Sequence, residues 1–166
     1  MTGMAWVRII VGAVWINGGI EKLLNGEFPQ QFAASLQAGG FVSQAPPFFQ
    51  SFMENLVIPN SGVIAQFVRV GELSLGIALV LGLLTNLAAV GSIGMSIAIM
   101  LSQGGVSLGT GLGAPQFLNV NLIMALLSAI ILISAAAKVL SVDSAIVRRR
   151  PGLSPVLTNT RKHTND

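Results

Sequence analysis

The sequence contains no cysteine, and its only histidine, His163, lies in the polar C-terminal segment of the 166-residue chain. The absence of thiols excludes disulfides, thiol redox centres and thiolate-held iron–sulfur clusters, and a single histidine leaves too few ligands for an ordinary zinc site. We therefore predict no metal site and no covalently bound cofactor. Any redox chemistry would have to use a diffusible cofactor or a centre on a partner protein.

Charge is also scarce, since charged residues make up 9% of the chain and hydrophobic residues 52%. A soluble domain carries about a quarter charged residues, so this chain has too few to cover a water-facing surface. The composition predicts an integral membrane protein. The net charge of +3 does not indicate nucleic-acid binding, because the basic residues form no stripe with interleaved aromatics. The expected partners are the lipid bilayer, lipid-soluble molecules and other membrane subunits.

The sequence contains long apolar runs. A helix needs about 20 mostly apolar residues to cross the hydrocarbon core, and four stretches qualify with their flanks: 4–24, 62–84, 87–103 and 117–140. We predict an all-α membrane protein, with a four-transmembrane-helix bundle in residues 1–147. The first span lacks a small-x-small cleavage site and is interpreted as a retained helix.

Positive charge is absent from the long loop 25–61 and from the Gly-rich segment 102–115, whereas most basic residues follow the fourth span. The positive-inside rule then predicts a multi-pass protein with both termini in the cytoplasm and both longer loops outside. The tail 148–166 is basic and polar, and we expect it to be disordered. The outer loop 25–61 is rich in phenylalanine, and its apolar runs are too short to span, which predicts short interfacial helices.

Small residues recur every four positions in the third span, at Ala88, Ser92 and Ser96. We expect them to pack against another helix, and we expect the serine hydroxyls to bond to carbonyls of their own helix.

Two charged residues, Arg69 and Glu72, lie inside the second span, in the segment VRVGELSLGIALVLG of residues 68–82. A charge near the membrane centre costs at least about 2.5–3.5 kcal/mol on insertion scales. The two residues are three apart and share a helix face, so we expect them to pair with each other and to face the bundle interior.

Further polar residues fall at the same level, the outer half of the predicted bundle. They come from the other three spans: Asn17, Glu21, Lys22, Gln103, Asn119 and Asn121. Together with Arg69 and Glu72 they predict a polar pocket toward the outside. The alternative is a buried ion-pair network that only fixes helix register, with Lys22 extending to the interface.

Three segments resemble motifs of the DoxX family of small four-helix membrane proteins. The first span carries an Arg-x-x-x-Gly pattern and a later Lys, the second a Glu followed by spaced glycines, and the segment AAAKVLSVDSAI a closing Ser-x-Asp after a basic residue. The matching residues are Arg8, Gly12 and Lys22, then Glu72, Gly76 and Gly82, then Lys138, Ser141 and Asp143. Ser141 and Asp143 are expected to cap or anchor a cytoplasmic helix.

The DoxX family includes the DoxD-type subunit of thiosulfate:quinone oxidoreductases. The resemblance implies a subunit of a membrane redox complex in a prokaryotic plasma membrane, with quinone as its diffusible cofactor and redox centres on a partner subunit. In this interpretation Glu72 and Glu21 are candidate proton donors. The candidate quinone-binding residues are Arg69, Lys22, Asn17, Asn119 and Asn121.

Other functions stay open on the sequence alone. A non-catalytic subunit that anchors or assembles a larger membrane complex would use the polar cluster for register and the outer loop for docking. A path for a small solute ranks last, because the inner halves of the spans are almost purely apolar. The sequence leaves open whether the chain takes part in catalysis and whether it self-associates.

Overall fold

The computed structural model describes residues 2–37, 41–103, 120–153 and 157, and within these ranges the chain forms helices and no strand. The α-helices follow in the order α1 (Thr2–Leu24), α2 (Phe28–Ser35), α3 (Phe41–Gln44), α4 (Pro47–Phe52), α5 (Ser61–Leu81), α6 (Thr85–Ser102), α7 (Val120–Ile133) and α8 (Val142–Arg149). A π-helical turn (Met53–Val57) follows α4, and 3₁₀ turns form at Ala136–Lys138 and Pro151–Leu153. The predicted all-helical fold is confirmed.

Three helices, α1, α5 and α6, are long and apolar enough to cross a membrane. The described part of the fourth apolar helix, α7, has 14 residues and a length of roughly 21 Å, against a hydrocarbon core of about 30 Å. It ends at Ile133, and the ammonium of Lys138 donates to the Leu132 carbonyl in its last turn at 2.9 Å. Residues 117–119 lie outside the described residues, so a fourth span over 117–140 stays a prediction.

Helices α1 and α5 run antiparallel with their backbones in direct contact. A Cβ built on Gly12 would lie 2.8 Å from the Gly76 carbonyl oxygen, and one on Gly76 would lie 2.6 Å from the Ile16 nitrogen. Real Cβ atoms do not approach that closely, so both positions require glycine. Close approach through small residues is how helices associate where lipid removes the hydrophobic drive between them.

Helix α6 packs against α7 through the predicted small residues, and Ala88, Ser92 and Ser96 are all buried. The expectation that the serines bond to their own helix is wrong for both, since the buried Ser96 hydroxyl has no hydrogen-bond partner among the described residues and Ser92 bonds to other helices. Its hydroxyl accepts from the Trp15 indole nitrogen at 2.7 Å and shares a hydrogen bond with the Ser128 hydroxyl, also at 2.7 Å. The small side chain lets three helices meet closely enough for these bonds to cross between them.

One end of the bundle, which we call the turn end, holds the α5–α6 turn and α8. Gly82 has a φ of +65° and ends α5, and a Cβ there would collide with Arg8 and Ser141. Arg8 is fully buried and donates to the Leu79 carbonyl at 2.6 Å and the Leu140 carbonyl at 3.0 Å. Its guanidinium therefore joins the start of α1, the end of α5 and the segment after α7.

The predicted capping residues of the turn end act on two different helices. Ser141 is the N-cap of α8, where its hydroxyl accepts from the Ser144 amide at 3.0 Å, as expected. Asp143 is fully buried and instead accepts from the first amides of α6, at 2.8 Å from Leu84 and 2.7 Å from Thr85. Its carboxylate thus fixes α8 across the start of α6.

The opposite end, which we call the loop end, holds residues 25–60. Short helices form there as predicted, and their position at a membrane interface stays a prediction. Leu36, Met53 and Val57 are buried together, with Phe32 and Phe49 packed against them. The phenylalanine-rich loop therefore has a small core of its own, which rests on α5.

We predict that Asp143→Asn weakens the turn end. The asparagine oxygen can still accept from one of the two amides, Leu84 or Thr85. Its NH₂ group would face the other amide, so one charge-assisted hydrogen bond is lost and two donors point at each other. A hydrogen bond to a charged group contributes about 1.5–3 kcal/mol, and we expect a loss of that size in the free energy of unfolding. Thermal unfolding in detergent measures it. Glu27→Gln, at an exposed carboxylate without a capping bond, is the control, and an equal effect of both variants would contradict the prediction.

Candidate ligand-binding site

A buried ion pair joins α1 to α5 at the loop end. The Lys22 ammonium lies 2.8 Å from a carboxylate oxygen of Glu72, whose side chain is 3% exposed, whereas that of Lys22 is 28% exposed. The antiparallel contact of the two helices sets this register. Gly18, one turn before Lys22, leaves the room for it, since a Cβ there would lie 2.9 Å from the same Glu72 oxygen.

The ion pair lies on the wall of a cavity of about 770 Å³, bounded by α1, α5, α6 and α7 and covered by the loop-end helices. Most of the lining is apolar, and it includes eight aromatic or methionine side chains: Trp15, Phe28, Phe32, Phe49, Phe52, Met53, Met95 and Met124. The Phe28 ring centroid lies 5.9 Å from the Lys22 nitrogen, a cation–π distance. The cavity therefore combines an extensive apolar surface with the charged pair Lys22–Glu72.

A second polar group lines the same cavity where α6 ends and α7 begins. It consists of Ser102, Gln103 and Asn121, and the Asn121 amide donates to the Gln103 side-chain oxygen at 3.5 Å. These side chains offer neutral donors and acceptors at a place separate from the ion pair. A bound molecule can thus meet polar groups at two points of an otherwise apolar wall.

The structure brings together only some of the predicted site residues. Lys22, Glu72 and Asn121 line the cavity. Asn17 and Glu21 are exposed on α1 and do not line it. Asn119 lies outside the described residues.

The expected pairing of Arg69 with Glu72 is wrong. Within the described residues Glu72 pairs with Lys22, and this is the only ion pair closer than 4 Å. Arg69 is half-buried, its Nε atom is buried without a hydrogen-bond partner among those residues, and it does not line the cavity. The reason is the α1–α5 register, which brings the Lys22 ammonium to the level of Glu72 from the neighbouring helix.

The aromatic lining was not among the predicted site residues. Phe28, Phe32 and Phe49 belong to the outer loop, for which the sequence predicted only short apolar helices. One feature of the sequence does point to two of them: Phe28 and Phe32 are four residues apart, so they share a face of α2. The contact of that face with the charged pair depends on the path of the loop, which no local pattern specifies.

A comparison with protein-family models matched residues 4–156 of the chain to the family described as TQO small subunit DoxD. Comparisons with curated proteins and with solved structures found no match.

We predict that the two halves of the ion pair differ in their contribution to stability. Lys22→Met leaves a buried carboxylate without a partner, and breaking a buried pair costs about 3–5 kcal/mol, less whatever Glu72 recovers by taking up a proton. Glu72→Gln leaves a lysine that is already part-exposed and can extend to the interface, so we expect a smaller loss of about 1.5 kcal/mol.

Unfolding in detergent of both single variants and of the double variant measures this difference. We expect the double variant to be more stable than Lys22→Met alone, because the unpaired carboxylate is gone. A Lys22→Met protein as stable as Glu72→Gln would show that the pair is not buried as described.

Proposed function

The chain belongs to the DoxD family, and from this premise we propose that it is a membrane subunit of a quinone-linked oxidoreductase complex that binds a quinone in the loop-end cavity. The observation that carries the proposal is the buried ion pair Lys22–Glu72 on the wall of a mostly apolar cavity. The cavity volume of about 770 Å³ lies within the range of small-molecule sites, roughly 300–1,000 Å³.

The chemistry of a quinone fits the two kinds of lining. Its ring and isoprenoid tail need apolar contact, which the phenylalanine and methionine side chains offer. Its two carbonyl oxygens accept hydrogen bonds, and the Lys22 ammonium can donate to one of them. Asn121, at the second polar group, offers a neutral donor to the other oxygen or to a ring substituent.

Reduction of a quinone to a quinol takes up two electrons and two protons. We assign Glu72 as the group that passes a proton toward the carbonyl oxygen held by Lys22, because it is buried, lines the cavity and already contacts that ammonium. General acid catalysis requires such a group within hydrogen-bond reach of the oxygen. The electrons have to come from a partner subunit, since this chain has no cysteine and one histidine.

The structure changes the roles proposed from the sequence. Glu21, Asn17 and Arg69 do not line the cavity, and we assign them no part in quinone binding. In this proposal the cavity opens toward the outer leaflet of a prokaryotic plasma membrane, both termini are cytoplasmic, and the partner subunit docks where it can pass electrons to the quinone.

An anchoring or assembly role is the second candidate, and one observation favours it. The Lys22–Glu72 pair is complete without a ligand, while large apolar side chains of the loop end stay exposed, with Phe48 at 70% and Phe52 at 44%. A contiguous exposed apolar patch is typical of an interaction site. In that role the ion pair sets helix register and the loop contacts a partner.

Glu72→Gln and Glu21→Gln form a matched pair for testing the first proposal, because both remove a carboxylate at the loop end and only Glu72 lines the cavity. The purified complex is assayed for quinone-dependent turnover, and the isolated subunit for binding of a soluble quinone. We expect Glu72→Gln to lower turnover by about 100-fold, the scale of one positioned proton donor. We expect Glu21→Gln to leave turnover within twofold.

Unchanged turnover in both variants, together with an intact complex, would contradict quinone chemistry at this cavity and favour the anchoring role. Loss of the complex in Phe48→Ser, with quinone binding by the isolated subunit retained, would place docking at the loop and leave the cavity proposal intact.

A further inference from the structure

The turn end is strongly basic. Of the nine Lys and Arg residues, only Lys22 and Arg69 belong to the loop-end halves of the helices. Among the described residues of the turn end the cations are Arg8, Lys138, Arg148, Arg149 and Arg150, and the one acidic residue is Asp143. Both carboxylate oxygens of Asp143 already accept backbone amides. Asp143 attracts Arg8 and Lys138, but its single negative charge leaves the described part of this end strongly positive.

A second cavity, of about 220 Å³, lies at the corner between the end of α7 and α8. Its polar lining comes from Lys138, Ser144 and Arg148, and its apolar lining includes Val139, Leu140 and Val147. A water molecule occupies about 30 Å³ of liquid, so the cavity has room for a group of several heavy atoms. Its chemistry is that of an anion site beside an apolar surface.

Lys138 is a buried cation at this corner, beyond the end of α7. It is 1% exposed, its ammonium donates to the Leu132 carbonyl, and no carboxylate of the described residues lies within 4 Å. Burial lowers the pKa of Lys138 to about 8, and the attraction of Asp143 offsets this only in part. An anion in the cavity would supply the charge partner that the protein does not.

We propose that the corner cavity binds the phosphate group of an anionic phospholipid, with Arg148 and Lys138 on its oxygens. A lipid fits better than a free anion because apolar side chains are exposed at this end of the bundle. Leu140 is 67% exposed, and Ile133, at the end of α7, is 76% exposed. Leu140 lines the basic pocket itself and offers contact to an acyl chain there. Clusters of Lys and Arg next to a membrane helix recognise anionic headgroups in general. The inference does not depend on quinone binding.

Arg148 and Arg149 give a matched pair for the test. Both are exposed on α8, and only Arg148 lines the cavity. The full-length protein is purified in detergent, equilibrated with phosphatidylglycerol or phosphatidylcholine, and examined by native mass spectrometry for retained lipid. We expect the wild type to retain phosphatidylglycerol in preference. We expect Arg148→Gln to weaken that retention about fivefold and Arg149→Gln less than twofold, since a basic residue near an anionic surface contributes about 1 kcal/mol.

Equal losses in the two variants would overturn the proposal, because they would indicate diffuse surface charge in place of a site. Equal retention of the two lipids by the wild type would overturn it as well. Displacement of the lipid by millimolar inorganic phosphate would show a free-anion site and contradict the lipid assignment. Because both arginines are exposed, both variants should fold, and their unfolding temperatures in neutral detergent verify this.

Discussion

The backbone contact between α1 and α5 is the constraint on which the rest of the structure depends. Gly12 and Gly76 bring the two helices so close that neither position tolerates a side chain. This contact fixes the antiparallel register of the two helices. The register in turn decides which charged side chains face each other further along α1 and α5. Lys22 reaches Glu72 because of it. A charge that would be costly alone in hydrocarbon is thereby neutralised, and the pair becomes a polar spot on an apolar wall.

The two ends of the bundle are built for different tasks. At the turn end, Arg8 and Asp143 make hydrogen bonds to backbone groups of other segments, and these bonds join three helix ends and α8. At the loop end α1 and α5 stay in contact, while all four helices bound a cavity that short phenylalanine-rich helices cover. The turn end thus holds the helices in register, and the loop end leaves the space in which we propose that a quinone binds.

The fold follows from the sequence at the level of the helices and less well at their ends. The composition and the apolar runs predict α1, α5 and α6. Helix α7 ends at Ile133, within the predicted fourth span, and the hydrogen bond from Lys138 to the Leu132 carbonyl near that end is one that no hydropathy pattern reveals. Within the site, Lys22, Glu72 and Asn121 were predicted, whereas Arg69 was assigned to Glu72 by its spacing along one helix. Spacing describes neighbours on a helix, but the partner of a buried charge is decided between helices.

The contact between Lys22 and Glu72 is the central claim, and solid-state NMR tests it most directly. The chain has three lysines and four glutamates, so protein labelled with ¹⁵N at lysine Nζ and ¹³C at glutamate Cδ, reconstituted in lipid, reports few pairs. The account predicts strong dipolar dephasing of one lysine signal that disappears in Glu72→Gln and persists in Glu21→Gln. Dephasing that is absent in the wild type, or that disappears in Glu21→Gln and not in Glu72→Gln, would contradict it.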